Sequence, residues 1–104
     1  MEENVTEISL SEINIVPIKP REGHIGFASF VINGQFYVGN VGIHSTPSGD
    51  IRLLYPEGIL PNGKMISSFH PITKYAGLEI TRQVVAKYNS ILTNSILRGW
   101  SHGT

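Results

Sequence analysis

Residues 25–43 read IGFASFVINGQFYVGNVGI, two β-rich runs joined by Asn33-Gly34. Asn-Gly between two such runs is the strongest short-range marker of a β-hairpin, because a type I′ turn needs a positive φ at both central positions. Both runs place apolar side chains on both faces, as Phe27 and Phe30 illustrate. A sheet with one face in water alternates apolar and polar residues, so we expect both faces of this hairpin to be covered.

The segments that flank the hairpin predict further strands. Within residues 5–19, Ile8 and Leu10 alternate, and Ile13 and Ile15 then alternate in the opposite phase, which predicts a β-bulge. Proline cannot donate to a ladder, so we expect the prolines at positions 17 and 20 to end this strand. Downstream, the pattern predicts a turn over residues 47–50, a short strand over 51–55, a loop over 56–63 and a weak strand over 64–69.

The periodicity then changes to that of a helix. Thr73 is a suitable N-cap, and the helix is predicted from about Lys74 to residue 92 or 97, with Gly99 as a stop. Its apolar arc is wide, about 160° at 100° per residue, so we expect it to contact more than one flat sheet face. The arc consists of Leu78, Ile80, Val84, Val85, Tyr88, Ile91 and Leu92.

These elements define an α+β fold: a small antiparallel sheet of four to five strands, with its central hairpin at Asn33-Gly34, followed by a long C-terminal helix. The chain has 104 residues, the size of one domain, and we expect a single domain over 1–104 with a frayed tail at about 98–104. It contains no cysteine, which excludes thiolate metal sites and thiol nucleophiles. Neither a signal peptide nor a run long enough to span a bilayer is visible, so a cytoplasmic location is expected.

Catalytic and metal motifs are not recognisable in the sequence. The four histidines lack a partner His or carboxylate at helical spacing, and Ser48 lacks the context of a nucleophile elbow. We interpret His70 as a polar anchor for the loop before the helix. We therefore expect no enzyme activity, no bound metal and no cofactor.

Charge is distributed unevenly along a chain whose net charge is zero. Residues 1–57 hold seven acidic against three basic residues, whereas residues 58–104 hold one acidic against five basic residues. A positive C-terminal part could meet phosphates, or the two halves could simply attract each other. Lys74, Arg82 and Lys87 are separated by roughly 80° to 140° around the helix, so they do not form one basic stripe.

The most specific motif is a proline, a turn and a His-Pro-Ile segment in fixed order, at Pro56, residues 61–63 and residues 70–72. Three further stretches belong to the same pattern, namely residues 5–8 with Leu10, Ile13 and Asn14; residues 28–38; and Ile80, Val84, Val85 and Tyr88. Together these stretches resemble the SpoVG family (stage V sporulation protein G, the septation protein family). The resemblance implies a small antiparallel sheet with a C-terminal helix, dimerisation through the sheet, and DNA or RNA binding in the regulation of sporulation, septation and gene expression.

The chain departs from the family pattern at its basic positions. Family members place Lys-Arg between Pro56 and Pro61, where this chain reads EGIL, and a family arginine of the third strand falls at Gly42. Ser9, Ser11 and Glu12 stand where family members commonly have arginines. Asn62 stands where they have the acidic residue of the turn, and Lys64 stands where they have the acidic residue after it. Because each lost phosphate contact removes about one counterion's worth of salt-dependent affinity, we expect weakened nucleic-acid binding.

Two functions follow as hypotheses. The first is a homodimeric, non-enzymatic nucleic-acid-binding regulator with backbone-directed contacts of modest sequence specificity. Its candidate contact residues are Lys64, Lys74, Arg82, Lys87 and Arg52. The second is a protein–protein interaction module on the same fold, which would use Ile59, Leu60 and the sheet edge. The same two apolar residues could instead pack into the core of the dimer.

Overall fold

The computed structural model describes the backbone of residues 7–102 and the side chains of residues 7–94. Over this range the elements are β1 (Leu10–Arg21), β2 (His24–Ile32), β3 (Phe36–Ser45), β4 (Ile51–Leu54), β5 (Glu57–Ile59), β6 (Met65–Ser67) and α1 (Lys74–His102). Strands β1 to β4 form one antiparallel sheet in chain order, and β5 pairs with β6 in a separate hairpin. The predicted α+β class, a strand meander followed by one long helix, is confirmed.

The central hairpin has the predicted turn. Asn33 and Gly34 have φ values of 52° and 68°, the positive pair that a type I′ turn requires. The turn closes through the Gln35 N–H, which donates to the Ile32 carbonyl at 2.9 Å. This turn sets the register of β2 against β3, in which Phe30 lies opposite Val38 and Ala28 opposite Val41.

Strand β1 confirms the predicted bulge and corrects its predicted end. The register between β1 and β2 shifts between Ser11 and Asn14, where the apolar phase flips. The prolines, however, do not end the strand, since β1 continues to Arg21 and Pro17 lies opposite Gly26. A proline is tolerated there because β1 is an edge strand, whose outer row of backbone groups has no neighbour to pair with.

The core lies between one face of the sheet and α1. It consists of the buried residues Ala28, Phe30, Val38, Val41 and Ile43 of the sheet with Ile80 and Val84 of the helix. The helix approaches both edge strands, β1 and β4, and therefore crosses the width of the sheet. The margins of its wide apolar arc remain in solvent, with Leu78 62% and Leu92 39% exposed.

The helix is anchored at its start and clamped near its middle. The Thr73 hydroxyl accepts a hydrogen bond from the Ala76 N–H at 3.0 Å, which confirms the predicted N-cap. Gln83 then holds β1, because its Oε1 accepts from the Leu10 N–H at 2.9 Å and its Nε2 donates to the Ile8 carbonyl at 2.7 Å.

The predicted C-terminal end of the helix is wrong, since the helical backbone passes Gly99 and reaches His102. The frayed tail was expected at 98–104. The side chains of these residues, and the backbone of Gly103 and Thr104 as well, lie outside the described part of the chain.

The segment expected to be a loop over 56–63 contains strand β5. Its residue Ile59 pairs with Met65 of the expected weak strand, and the turn between them closes through the Leu60 N–H and the Lys64 carbonyl at 2.8 Å. His70 behaves as the predicted loop anchor, with its Nδ1 2.8 Å from the Ser67 hydroxyl. The hairpin packs mainly against itself, so its side chains are largely in solvent.

Candidate functional site

The sheet has a second face that the described residues leave uncovered, and we call it the open face. It carries the side chains that alternate with the buried ones, such as Phe27 between Gly26 and Ala28. Val16, Tyr37 and Leu54 of this face are 59%, 73% and 47% exposed. The sequence predicted cover on both faces of the sheet, but the described residues cover only one of them.

A row of basic and imidazole side chains crosses one end of the open face. The register places Arg21 opposite His24, His24 opposite His44, and His44 opposite Arg52, so the row runs through all four strands. Directly opposed residues of antiparallel strands share a face of the sheet, which brings these four side chains to the same side. We call them the basic row.

Three members of the basic row line one cavity. Arg21, His24 and His44 enclose it together with Ile18 and Glu22, and its volume is about 490 Å³. His44 Nε2 lies 3.0 Å from the Glu22 carbonyl, which can only accept, so this nitrogen carries the proton and donates. His24 Nε2 is buried without a hydrogen-bond partner in the described structure.

Two rings of the open face lie next to glycines of β3, in space that a side chain there would fill. A Cβ on Gly39 would lie 2.8 Å from the Tyr37 hydroxyl, and a Cβ on Gly42 would lie 3.2 Å from His24 Nε2. Any side chain at these positions would push the rings away from the sheet. An arginine in place of Gly42 would therefore compete with His24 for the same space.

A further cavity of the open face has a volume of about 260 Å³ and a mixed lining of polar and apolar side chains. Its lining includes Asn14, Ser29 and Asn40, flanked by the aromatic rings of Phe27 and Tyr37. Amide and hydroxyl groups both donate and accept hydrogen bonds, so this cavity can meet a planar polar group in several orientations.

The five predicted contact residues are not gathered in one place. Lys64 lies beside the turn of the β5–β6 hairpin, Lys74 begins α1, and Arg52 lies on β4 in the basic row. Lys87 is exposed on α1, which packs on the opposite face of the sheet from Arg52. Of the five, the structure therefore places Arg52 alone on the open face.

Arg82 is engaged within the helix. Its Nε donates to Glu79 Oε1 at 3.1 Å, and a second hydrogen bond joins its Nη2 to Oε2. These hydrogen bonds, with a further one from Gln83, hold the pKa of the Glu79 carboxyl below its usual range, and the same pairing raises the pKa of Arg82. A guanidinium that already binds a carboxylate is less available to a phosphate, so Arg82 is a weaker candidate than its charge suggests.

Arg21, His24 and His44 were not predicted as site residues. They lie on three different elements: the turn at Glu22-Gly23 brings Arg21 next to His24, and the register of β2 against β3 adds His44. Within residues 7–94, no group of three or more His, Asp and Glu side chains is arranged to hold a metal ion. Among the described residues, no helix has the length and hydropathy needed to cross a membrane.

Comparison with known proteins gives no match: no protein-family model and no curated protein matches the chain significantly.

Proposed function

We propose that the protein is a homodimeric, non-enzymatic regulator that binds nucleic acid, the role that the resemblance to the SpoVG family implies. The observation that carries the nucleic-acid part is the basic row, in which Arg21, His24, His44 and Arg52 stand side by side across four strands. Phosphodiester oxygens are acceptors that arginine binds in bidentate fashion. Contacts of this kind position a backbone and carry little sequence information.

The dimer is supported by how little apolar surface the single chain buries. Among the described residues, seven side chains of the hydrophobic core are buried between the sheet and α1, and eleven further hydrophobic residues that pack against them are only partly buried. The Cα radius of gyration is 16.1 Å, whereas a compact domain of about this length has roughly 13 Å. Large apolar side chains away from the open face stand in solvent, namely Ile59, Leu60, Met65, Ile66, Ile72 and Leu78. A second copy that covers them would complete the core, and the proposed interface then lies around the β5–β6 hairpin and α1 rather than on the sheet, through which the resemblance implies dimerisation.

The direct test is a mobility shift on duplex DNA, single-stranded DNA and RNA across a salt series, with the dimer confirmed by its mass in solution. We expect binding that weakens linearly on a plot of log K against log salt, because each phosphate contact releases about one counterion. No binding of any of the three at about 50 mM salt, with the dimer intact, would refute the proposal.

A second candidate function is a protein–protein interaction module, and the exposure of the β5–β6 hairpin favours it. Ile59 is 71% exposed and Leu60 39% exposed, on a hairpin that packs mainly against itself. Isolated two-stranded hairpins are marginally stable, so such a hairpin gains stability from a surface that covers it.

The double variant Ile59→Lys, Leu60→Arg separates the two roles of this hairpin. If the double variant is a folded monomer, these two residues lie in the dimer interface, which fits the first candidate function. A folded dimer of unchanged mass would leave the hairpin free for a different protein and favour the second candidate. Gly58→Ala is a suitable control, since the nearest atom to its added Cβ is 3.7 Å away.

A further inference from the structure

We infer that the open face binds a single-stranded nucleic acid, with a base stacked on Tyr37 and phosphates further along the same strand at the basic row. The inference rests on the proposed function and adds to it the strandedness of the partner and the surface that receives it. Three features of the open face carry it: the exposed ring of Tyr37, a cavity beside it that offers amide and hydroxyl groups, and two arginine side chains at one end.

Tyr37 provides the stacking surface. It is 73% exposed, and the outer edge of its ring leans over Gly39, so most of the ring is accessible to another planar group. The edge of the His24 imidazole lies next to Gly42, and its ring meets Phe27 edge-on at a centroid distance of 4.6 Å, which supports the floor of the open face. Stacking on aromatic side chains is how proteins hold unpaired bases, since every base has a π-face.

The cavity beside Tyr37 suits the edge of a base. Asn14, Ser29 and Asn40 offer amide and hydroxyl groups within a volume of about 260 Å³. In a duplex the Watson–Crick edges of the bases are paired and the faces are stacked on neighbouring bases, so neither can meet the cavity or the ring of Tyr37. A broad four-stranded sheet also does not fit a major groove, which admits a helix or a two-stranded ribbon. The open face therefore favours a single strand over a duplex.

The basic row lies where the backbone of such a strand would continue. Along β3, Tyr37 and His44 are seven residues apart, which at about 3.3 Å per residue is roughly 23 Å. Arg21 and Arg52 stand at opposite sides of the row, and neither forms an ion pair with a described residue. Glu22 lines the cavity beside Arg21, and its backbone oxygen is held by His44.

The test compares single-strand affinity among aromatic variants by fluorescence anisotropy, with a labelled ten-nucleotide poly-dT probe and a ten-base-pair duplex at constant salt. Tyr37→Leu should weaken poly-dT binding by about 5- to 100-fold, the range that stacking one base supplies, while Tyr37→Phe retains it. Tyr75→Leu is the matched control, because Tyr75 is an exposed aromatic residue of α1. Arg52→Gln should lower the salt slope by about one.

The remaining outcomes separate failure of the inference from failure of the proposed function. Poly-dT affinity that Tyr37→Leu leaves unchanged, or that Tyr75→Leu lowers equally, would overturn the inference. Duplex binding without single-strand binding would also overturn it and leave the proposed function standing. If neither probe binds the folded dimer, both fail. If the Tyr37→Leu variant is a monomer, the open face is the surface that binds a second copy, and the inference is overturned.

Discussion

Gln83 is the residue whose replacement tests the packing of the helix on the sheet most sharply. Its side chain makes two hydrogen bonds to the backbone of β1 and the residues before it, at 2.9 Å from Leu10 N and 2.7 Å to Ile8 O. A third hydrogen bond reaches Glu79 Oε2 at 2.8 Å. Gln83→Met removes all three and changes neither side-chain length nor helix propensity appreciably.

The expected cost follows from these contacts. Each part-buried hydrogen bond contributes about 0.5–1.5 kcal/mol net, so the two bonds to the strand give about 2 kcal/mol. At roughly 4–8 °C per kcal/mol for a domain of this size, Tm should fall by about 8–16 °C. Urea denaturation followed by circular dichroism measures the loss, at one fixed protein concentration because a dimer's stability depends on it.

Lys87→Met is the matched control, since Lys87 is exposed on the same helix and the substitution preserves helix propensity. It should change the free energy of unfolding by less than about 0.5 kcal/mol. Hydrogen exchange adds a local readout, because the Leu10 amide should exchange faster in Gln83→Met. A Gln83→Met protein as stable as the wild type, with an unchanged Leu10 amide, would refute the account of how α1 is held.

Two further predictions concern single contacts. Thr73→Ala should lower the free energy of unfolding by about 1 kcal/mol, because the hydroxyl that caps Ala76 N is lost. Thr73→Ser keeps a capping hydroxyl and should keep the stability. Equal stability of the two variants in urea would contradict this. Burial raises the pKa of Tyr55 from 10.0 to about 12. Between these values the unfolded chain releases the phenolic proton and the folded chain keeps it, so stability should fall as pH rises from 10 to 12. In urea titrations the free energy of unfolding of Tyr55→Phe should fall less over that pH range. An identical fall in both proteins would contradict the raised pKa of Tyr55 as its cause.

Local signals in the sequence predicted the parts of the fold that local chemistry determines. Asn33-Gly34 specified the turn because few residues accept a positive φ, and Thr73 specified the helix start because its hydroxyl caps an orphan N–H. The flip of the apolar phase before Ile13 predicted the bulge, because one extra residue in a strand turns the following side chains to the other face.

The errors arose where tertiary context decides. Pro17 and Pro20 remain in a strand because that strand became an edge, which no local pattern reveals. Strand β5 exists because β6 pairs with it. The same limit applies to the site: Arg52 was predicted, but the residues beside it in the basic row come from β1, β2 and β3, and only the register across the sheet brings them to Arg52.

The central claim is that nucleic acid binds on the open face, and backbone amide chemical shifts measured during a titration with the ten-nucleotide poly-dT probe test it most directly. We predict that the shifts concentrate on residues of the open face, around Tyr37, Asn40 and His44 on β3 and Arg52 on β4. Shifts confined to α1 around Lys74 and Lys87, or the absence of any shift at low salt, would contradict the claim.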